Sequence, residues 1–159
     1  MILNSLLCAE MGTLSMTRTI VLVEDEFEIA SMLQEVLEME GYQVMVFHSP
    51  EAVAEDIVGI RPDAFLLDIM LPGSSGIELA QELRGQGYAE ACMIAMSASK
   101  FMTHLARHCG LFAAVIDKPF DLDAFLQCIE RHLQQSVAKQ QEELPAIVTQ
   151  DPLTGGASS

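Results

Sequence analysis

The sequence predicts a doubly wound α/β domain, a five-stranded parallel sheet covered on both faces by five helices. Three observations lead there. Short β-branched and aliphatic runs alternate with segments of helical periodicity, and the alternation repeats five times along the chain. The runs read as nearly continuous apolar stretches, as strands buried on both faces do. Strict strand–helix alternation implies right-handed crossovers and hence a parallel sheet.

Thr19 to Val23 is the first such run and ends in Glu24-Asp25. The period then changes: Phe27, Ala30, Leu33 and Leu37, flanked by Ile29, Met32 and Val36, make an apolar helical face that stops at Gly41. Tyr42 to Phe47 is the second strand. Ser49 is the expected N-cap and Pro50 the first residue of a short helix with Val53, Ala54, Ile57 and Val58 inward. Ala64 to Leu67 runs into Asp68, and a Pro72-Gly73 loop leads to the capping-box pattern Ser75-x-x-Glu78 and a helix through Leu83. Cys92 to Met96 ends at Ser97, and a weaker helix follows from about Ser99 to His108. Phe112 to Ile116 is the fifth strand. Asp121 caps a last helix carrying Leu122, Phe125, Leu126, Ile129 and Leu133 on one side.

The 159 residues suit one domain with tails: 1–17 as a flexible N-terminal extension, 18–135 as the folded domain and 136–159 as a flexible, Gln-rich and then Gly/Ser-rich tail. No second output domain is expected. Half the residues are hydrophobic and 19% are charged, which excludes a disordered acidic chain. The formal charge of −15 argues against direct nucleic-acid binding, because gripping a phosphate backbone needs cations to displace counterions. No apolar run approaches the length of about 18 residues that a membrane span requires, so no membrane insertion and a cytoplasmic location are expected. Leu6-Leu7-Cys8 has the outline of a lipoprotein site, but Leu7 is bulky where a small residue is needed. Cys8, Cys92, Cys109 and Cys128 form no C-x-x-C pair and are read as reduced, mostly buried thiols.

In open α/β sheets ligands bind beyond the carboxyl ends of the strands. Those ends carry Glu24-Asp25, Asp68, Ser97 and Asp117-Lys118. Clustered carboxylates repel one another unless a cation joins them, and an incomplete cage of oxygen ligands fits Mg²⁺ better than Zn²⁺. With such an ion, Asp68 can accept a phosphoryl group as an aspartyl nucleophile while a hydroxyl and a lysine neutralise its oxygens.

Four motifs carry a resemblance: Val23-Glu24-Asp25-Glu26; Leu67-Asp68-Ile69-Met70-Leu71-Pro72-Gly73 with Gly76 following; Met96-Ser97-Ala98; and Asp117-Lys118-Pro119-Phe120. Together, from about Arg18 to Gln135, the chain resembles a response-regulator receiver domain of two-component signalling. The resemblance implies the flavodoxin-like strand order 2-1-3-4-5 and a phosphoprotein whose phosphoacceptor is Asp68, charged by a sensor histidine kinase or phosphotransfer protein. It implies Mg²⁺ held by Asp25, Asp68 and the Met70 main-chain carbonyl, with Glu24 acting through water. Ser97 and Lys118 are implied to bind the phosphoryl group, the Lys118-Pro119 peptide to be cis, and Ala98 to leave the phosphoryl group reachable. Output is expected through an unknown downstream protein or a phosphorylation-dependent homodimer, at the fourth helix, fifth strand and fifth helix. One position departs from the family: Val115 stands where it usually has Tyr or Phe, three residues before the lysine.

Two other readings stay open at this level. A phosphorylation-independent binding module would keep the fold, and Val115 is consistent with it. An Mg²⁺-dependent aspartyl phosphohydrolase would turn over at Asp68, but Asp68-Ile69-Met70 lacks the second carboxylate such enzymes use as general acid. His104 and His108 are read as solvated side chains near a helix end, most of the ten Met residues as core filler, and Gly73 and Gly76 as no dinucleotide fingerprint.

Overall fold

The computed structural model describes residues 16–142 and their side chains as far as Lys139. Cys8 and most of the residues expected to be flexible extension and tail therefore lie outside the described residues. Strands β1 (Thr19–Val23), β2 (Gln43–Phe47), β3 (Ala64–Asp68), β4 (Cys92–Ser97) and β5 (Ala114–Asp117) alternate with helices α1 (Phe27–Met39), α2 (Pro50–Asp56), α3 (Gly76–Gly85), α4 (Lys100–His108) and α5 (Leu122–Glu142). All strand pairs are parallel and the order is β2-β1-β3-β4-β5. This is the expected fold.

The core forms two layers because successive strand residues point to opposite faces. Ile20, Leu22, Leu66 and Ile94 face α1 and α5 and meet Leu33, Leu37, Phe125, Ile129 and Leu133. Val21, Val23, Phe65, Leu67 and Met93 face the other way, toward Val53, Leu79 and Leu83. Each such side chain removed from water contributes about 1.5–3 kcal/mol. The caps form as read: Ala52 N donates to Ser49 Oγ, Ser75 and Glu78 make the reciprocal capping box, and Ala124 N donates to Asp121 Oδ2.

Four expectations need correction. Phe27 is exposed rather than on the buried face of α1, because it is that helix's first residue and its ring stacks on His48. Ala54 and Val58 face solvent; α2 ends at Asp56, so only Val53 and Ile57 reach the core. Phe112 precedes β5 rather than opening it. Of the described cysteines only Cys92 is buried, whereas Cys109 at the C-cap of α4 is exposed and Cys128 is half-buried; all three are free thiols. Helix α5 also continues to Glu142, beyond the point at which its apolar pattern fades. Among the described residues no helix is long and apolar enough to cross a membrane.

The register positions the strand ends. Val23 pairs with Leu67, Asp68 with Met96, and Ser97 with Asp117. Glu24, Asp25, Asp68, Ser97 and Lys118 therefore leave the sheet at one edge.

Candidate functional site

Asp68 ends β3, the sheet's central strand, and is 5% exposed. A buried carboxylate needs partners, and both of its oxygens have one. Oδ1 accepts from Met70 N at 2.9 Å and Oδ2 from Lys118 Nζ at 2.8 Å. The Lys118 ammonium also donates to Glu24 Oε2 at 2.6 Å, and so bridges two buried carboxylates at the ends of the adjacent strands β1 and β3. Glu24 Oε1 accepts from Glu26 N at 3.2 Å. The backbone of Glu24 is pinned as well, its N–H donating to Phe47 O at 3.0 Å and its carbonyl oxygen lying 2.9 Å from His48 Nδ1.

Electrostatics follow from that burial. Desolvation pushes the Glu24 carboxyl up to about 7; the Lys118 hydrogen bond opposes the rise and the Asp68 carboxylate adds to it. For Lys118, burial works to lower the ammonium, but hydrogen bonds and attraction from Asp68 and Glu24 outweigh it and hold the group above its ordinary value. The site is thus a two-carboxylate, one-ammonium cluster with a net negative charge once Glu24 ionises.

Asp25 adds a third acid. Ligand oxygens of Glu24, Asp25 and Asp68 all lie within 4.8 Å of one another, so this cluster could hold a metal ion. The donors are carboxylate oxygens without sulfur or imidazole, which suits a hard cation such as Mg²⁺ and not the usual Zn²⁺ set. Asp25 is half-exposed while Glu24 and Asp68 are buried, so the cluster opens to solvent on one side. A shallow groove lined by Asp25, Met70, Leu71, Pro72, Ser74 and Met102 runs beside it.

The other residues singled out from sequence sit around this centre. Met70 lies at the rim with its side chain 57% exposed and its amide on Asp68. Ser97 is fully buried at the end of β4; its Oγ accepts from Ser99 N at 3.1 Å and its carbonyl accepts from Lys118 N at 2.9 Å. Ala98 beside it is exposed, and the Lys118-Pro119 peptide is cis. Asp117 faces away from Lys118, as adjacent strand residues must. It pairs with Arg107 at 2.6 Å and Lys100 at 3.5 Å, and the Arg107 hydrogen bond holds its carboxyl below the usual range. Val115 is partly buried against Ile69, Ala95 and Ala106, in a cluster that also takes Met102 and Phe112.

Sequence reading missed two contributors. His48 follows β2 at the same sheet edge, and applying the strand-end rule to β2 would have found it. Gly76 appeared only as part of a motif, whereas in the fold it lies directly against the Asp68 carbonyl, with its N–H donating to Ile69 O at 2.9 Å.

The family model described as the response regulator receiver domain matches residues 20–130. The transcriptional regulatory protein CpxR of Escherichia coli (strain K12) is 34% identical over 127 residues, covering 78% of this chain and 53% of CpxR. The phosphate regulon transcriptional regulatory protein PhoB of Pseudomonas aeruginosa is 45% identical over 67 residues, 42% of this chain and 29% of PhoB. The chain thus spans about half the length of CpxR and less of PhoB. The crystal structure of a CheY-like receiver domain protein from Methanospirillum hungatei JF-1 superposes with a TM-score of 0.72 over 77% of this chain and 98% of that one, at 22% identity, and so shares the fold. With the family model spanning the sheet and all four strand-end motifs, the chain belongs to the receiver-domain family of two-component response regulators.

Proposed function

We propose that Asp68 is the phosphoacceptor of this receiver domain and takes a phosphoryl group from a phosphohistidine on a sensor histidine kinase or phosphotransfer protein. The observation that carries this reading is the Lys118 ammonium held 2.8 Å from Asp68 Oδ2 and 2.6 Å from Glu24 Oε2, beside three acids that converge within 4.8 Å. In the transfer a carboxylate oxygen of Asp68 attacks phosphorus, a P–O bond forms, the donor's P–N bond breaks, and the imidazole keeps the electron pair. Bound Mg²⁺ supplies charge neutralisation for the acids and for the developing charge on the phosphoryl oxygens.

The chain's own groups do the rest. Met70 N fixes the orientation of the Asp68 carboxylate. Glu24, Asp25 and Asp68, with the Met70 carbonyl, make up the proposed metal ligands, Glu24 acting through water. Lys118 is placed to exchange a carboxylate contact for a phosphoryl oxygen. Ser97 does the same with its hydroxyl after releasing Ser99 N. The free energy of these new contacts biases the surface around α4, β5 and α5 between two conformers, and a protein partner reads the difference. Val115 fills the position usually held by an aromatic switch and packs with Phe112, so readout here depends on aliphatic repacking.

Incubation of the chain with a small-molecule phosphodonor and Mg²⁺ tests this reading. One phosphoryl group per chain is expected, absent without Mg²⁺ and absent in Asp68→Asn. Equal labelling of that variant, or repeated hydrolysis of a phosphate ester without accumulation of the labelled chain, overturns it.

A further inference from the structure

His104 and His108 lie one turn apart on α4, in the run His104-Leu105-Ala106-Arg107-His108, and both are exposed. Residues at i and i+4 share a helix face, and two imidazoles so spaced are a recurring pair of transition-metal ligands. From sequence they read as solvated side chains near a helix end. The structure adds three observations that carry them further. First, the rings are neighbours, with centroids 4.3 Å apart and planes at 39°. Two nitrogens on one tetrahedral Zn²⁺ lie about 3.4 Å apart at the usual Zn–N distance of about 2.0–2.1 Å, so rings this close need only small side-chain rotations to share an ion.

Second, one tautomer is set. His108 Nδ1 lies 2.8 Å from the His104 carbonyl oxygen, which can only accept, so Nδ1 carries the proton and the Nε2 lone pair is left for another partner. Metal-binding histidines are held in this way, one ring nitrogen donating to a carbonyl and the other facing the ion. Third, the pair occupies the end of the helix that suits a cation. His108 is the last residue of α4, where the unpaired carbonyls gather partial negative charge. The two nearby cations are offset by one carboxylate: Asp117 holds Arg107 at 2.6 Å and Lys100 at 3.5 Å. Among the described residues the one group of three or more candidate ligands is the acidic cluster of Glu24, Asp25 and Asp68, so the imidazole pair would bind an ion by two nitrogens and leave its other positions to water. Imidazole suits Zn²⁺, Ni²⁺ and Cu²⁺, whereas Mg²⁺ takes oxygen ligands, so the two sites select different ions.

We infer that His104 and His108 form a two-nitrogen site for a divalent transition-metal ion of the Zn²⁺ class, and that the bound ion clamps the last turn of α4. Coordination from i to i+4 exists only while that turn is helical, so the ion stabilises the helical turn over the frayed one. The clamp matters here because the residues that α4 buries fully are small: Thr103 and Ala106, each 1% exposed. Little apolar area therefore ties the helix to the sheet, and the order of its last turn is open to control by a ligand. The site does not depend on phosphoryl transfer at Asp68.

The test uses the full chain, nitrogen-15-labelled and unphosphorylated, in excess Mg²⁺ so that the acidic cluster is already served. Zn²⁺ is then titrated in. Amide signals of His104, His108 and Cys109 are expected to shift, and amide exchange in the last turn of α4 to slow, whereas Mg²⁺ alone should do neither. His104→Ala and His108→Ala should each weaken Zn²⁺ binding by more than the roughly tenfold that loss of an outer-shell partner costs. Both positions are exposed, so the variants should fold like the parent chain. Cys109→Ser should keep the affinity, because the site is made of nitrogens. Unchanged Zn²⁺ affinity in both histidine variants, loss of binding in Cys109→Ser, or shifts confined to the surroundings of Glu24, Asp25 and Asp68 overturns the inference. Phosphodonor labelling separates it from the proposed function: His104→Ala should label at Asp68 like the parent chain, while Asp68→Asn should fail to label yet keep the Zn²⁺ response of α4.

Discussion

Gly76 lies so close to the Asp68 backbone that a methyl group on its Cα would overlap the Asp68 carbonyl oxygen and sit 2.9 Å from Ile69 Cα. Both obstacles are backbone, and neither can rotate aside. The start of α3 is thereby pressed against the acceptor, which explains why a helix opens on a residue of poor helical propensity.

Gly76→Ala is therefore expected to destabilise the domain by about 1–3 kcal/mol, the usual cost of overpacking, even though alanine favours the helix. Urea denaturation measures the loss. Because the displaced backbone is that of Asp68, phosphodonor labelling should slow in the same variant. A variant as stable as the parent would show that the loop moves freely.

Lys118→Met leaves Glu24 and Asp68 buried without their cation. The metal-free variant should lose about 1–3 kcal/mol at pH 8, since an uncompensated buried charge is costly. Part of that loss should return at pH 5, where the buried Glu24 carboxyl takes up a proton instead. Urea denaturation at both pH values checks it, and the same loss at each would place the effect in packing rather than charge.

The Glu24 carboxyl sits at about 7 in the folded chain against an ordinary 4.5. The folded state then binds more protons than the unfolded state between those values, so this group makes the metal-free chain less stable as pH rises from about 4.5 to about 7 and adds no slope above. The total is on the order of 3 kcal/mol. Glu24→Gln should lack this component of the pH–stability profile. Mg²⁺ must displace the same proton, so its affinity is expected to climb across that window and release protons measurable by calorimetry in two buffers.

Asp25→Ala removes the half-exposed member of the acidic cluster while leaving the buried bridge of Glu24, Lys118 and Asp68 in place. Stability should change by no more than about 0.5 kcal/mol, as for other surface positions. Mg²⁺ affinity should fall by at least about tenfold, and labelling with it. Unchanged titration by the metal would remove Asp25 from the ligand set.

Much of this protein is legible along the chain. Apolar runs such as Ile20–Val23 and Ala64–Leu67 are strands because they are buried on both faces, and Ser49, Ser75 and Asp121 cap helices through hydrogen bonds that span three residues. Such signals are local, and local chemistry decides them. The strand-end acids and Lys118 were also readable, because a parallel α/β sheet sends every carboxyl end to the same edge.

What one residue cannot report is which distant atom it meets. Only the parallel register brings Lys118 to both Glu24 and Asp68, presses Gly76 onto the Asp68 backbone and sets His48 on the Glu24 carbonyl. Burial at that junction, and not residue type, raises the Glu24 carboxyl. Periodicity likewise marks an apolar stripe without saying which side the sheet will take, so the outward turn of Phe101 and Leu105 on α4 was settled by the close approach that Thr103 and Ala106 allow to β4 and β5. Helix, strand and cap are decided within a few residues; pairing, desolvation and the choice of buried face depend on contacts between segments far apart in the chain, and these exist only once the sheet has formed.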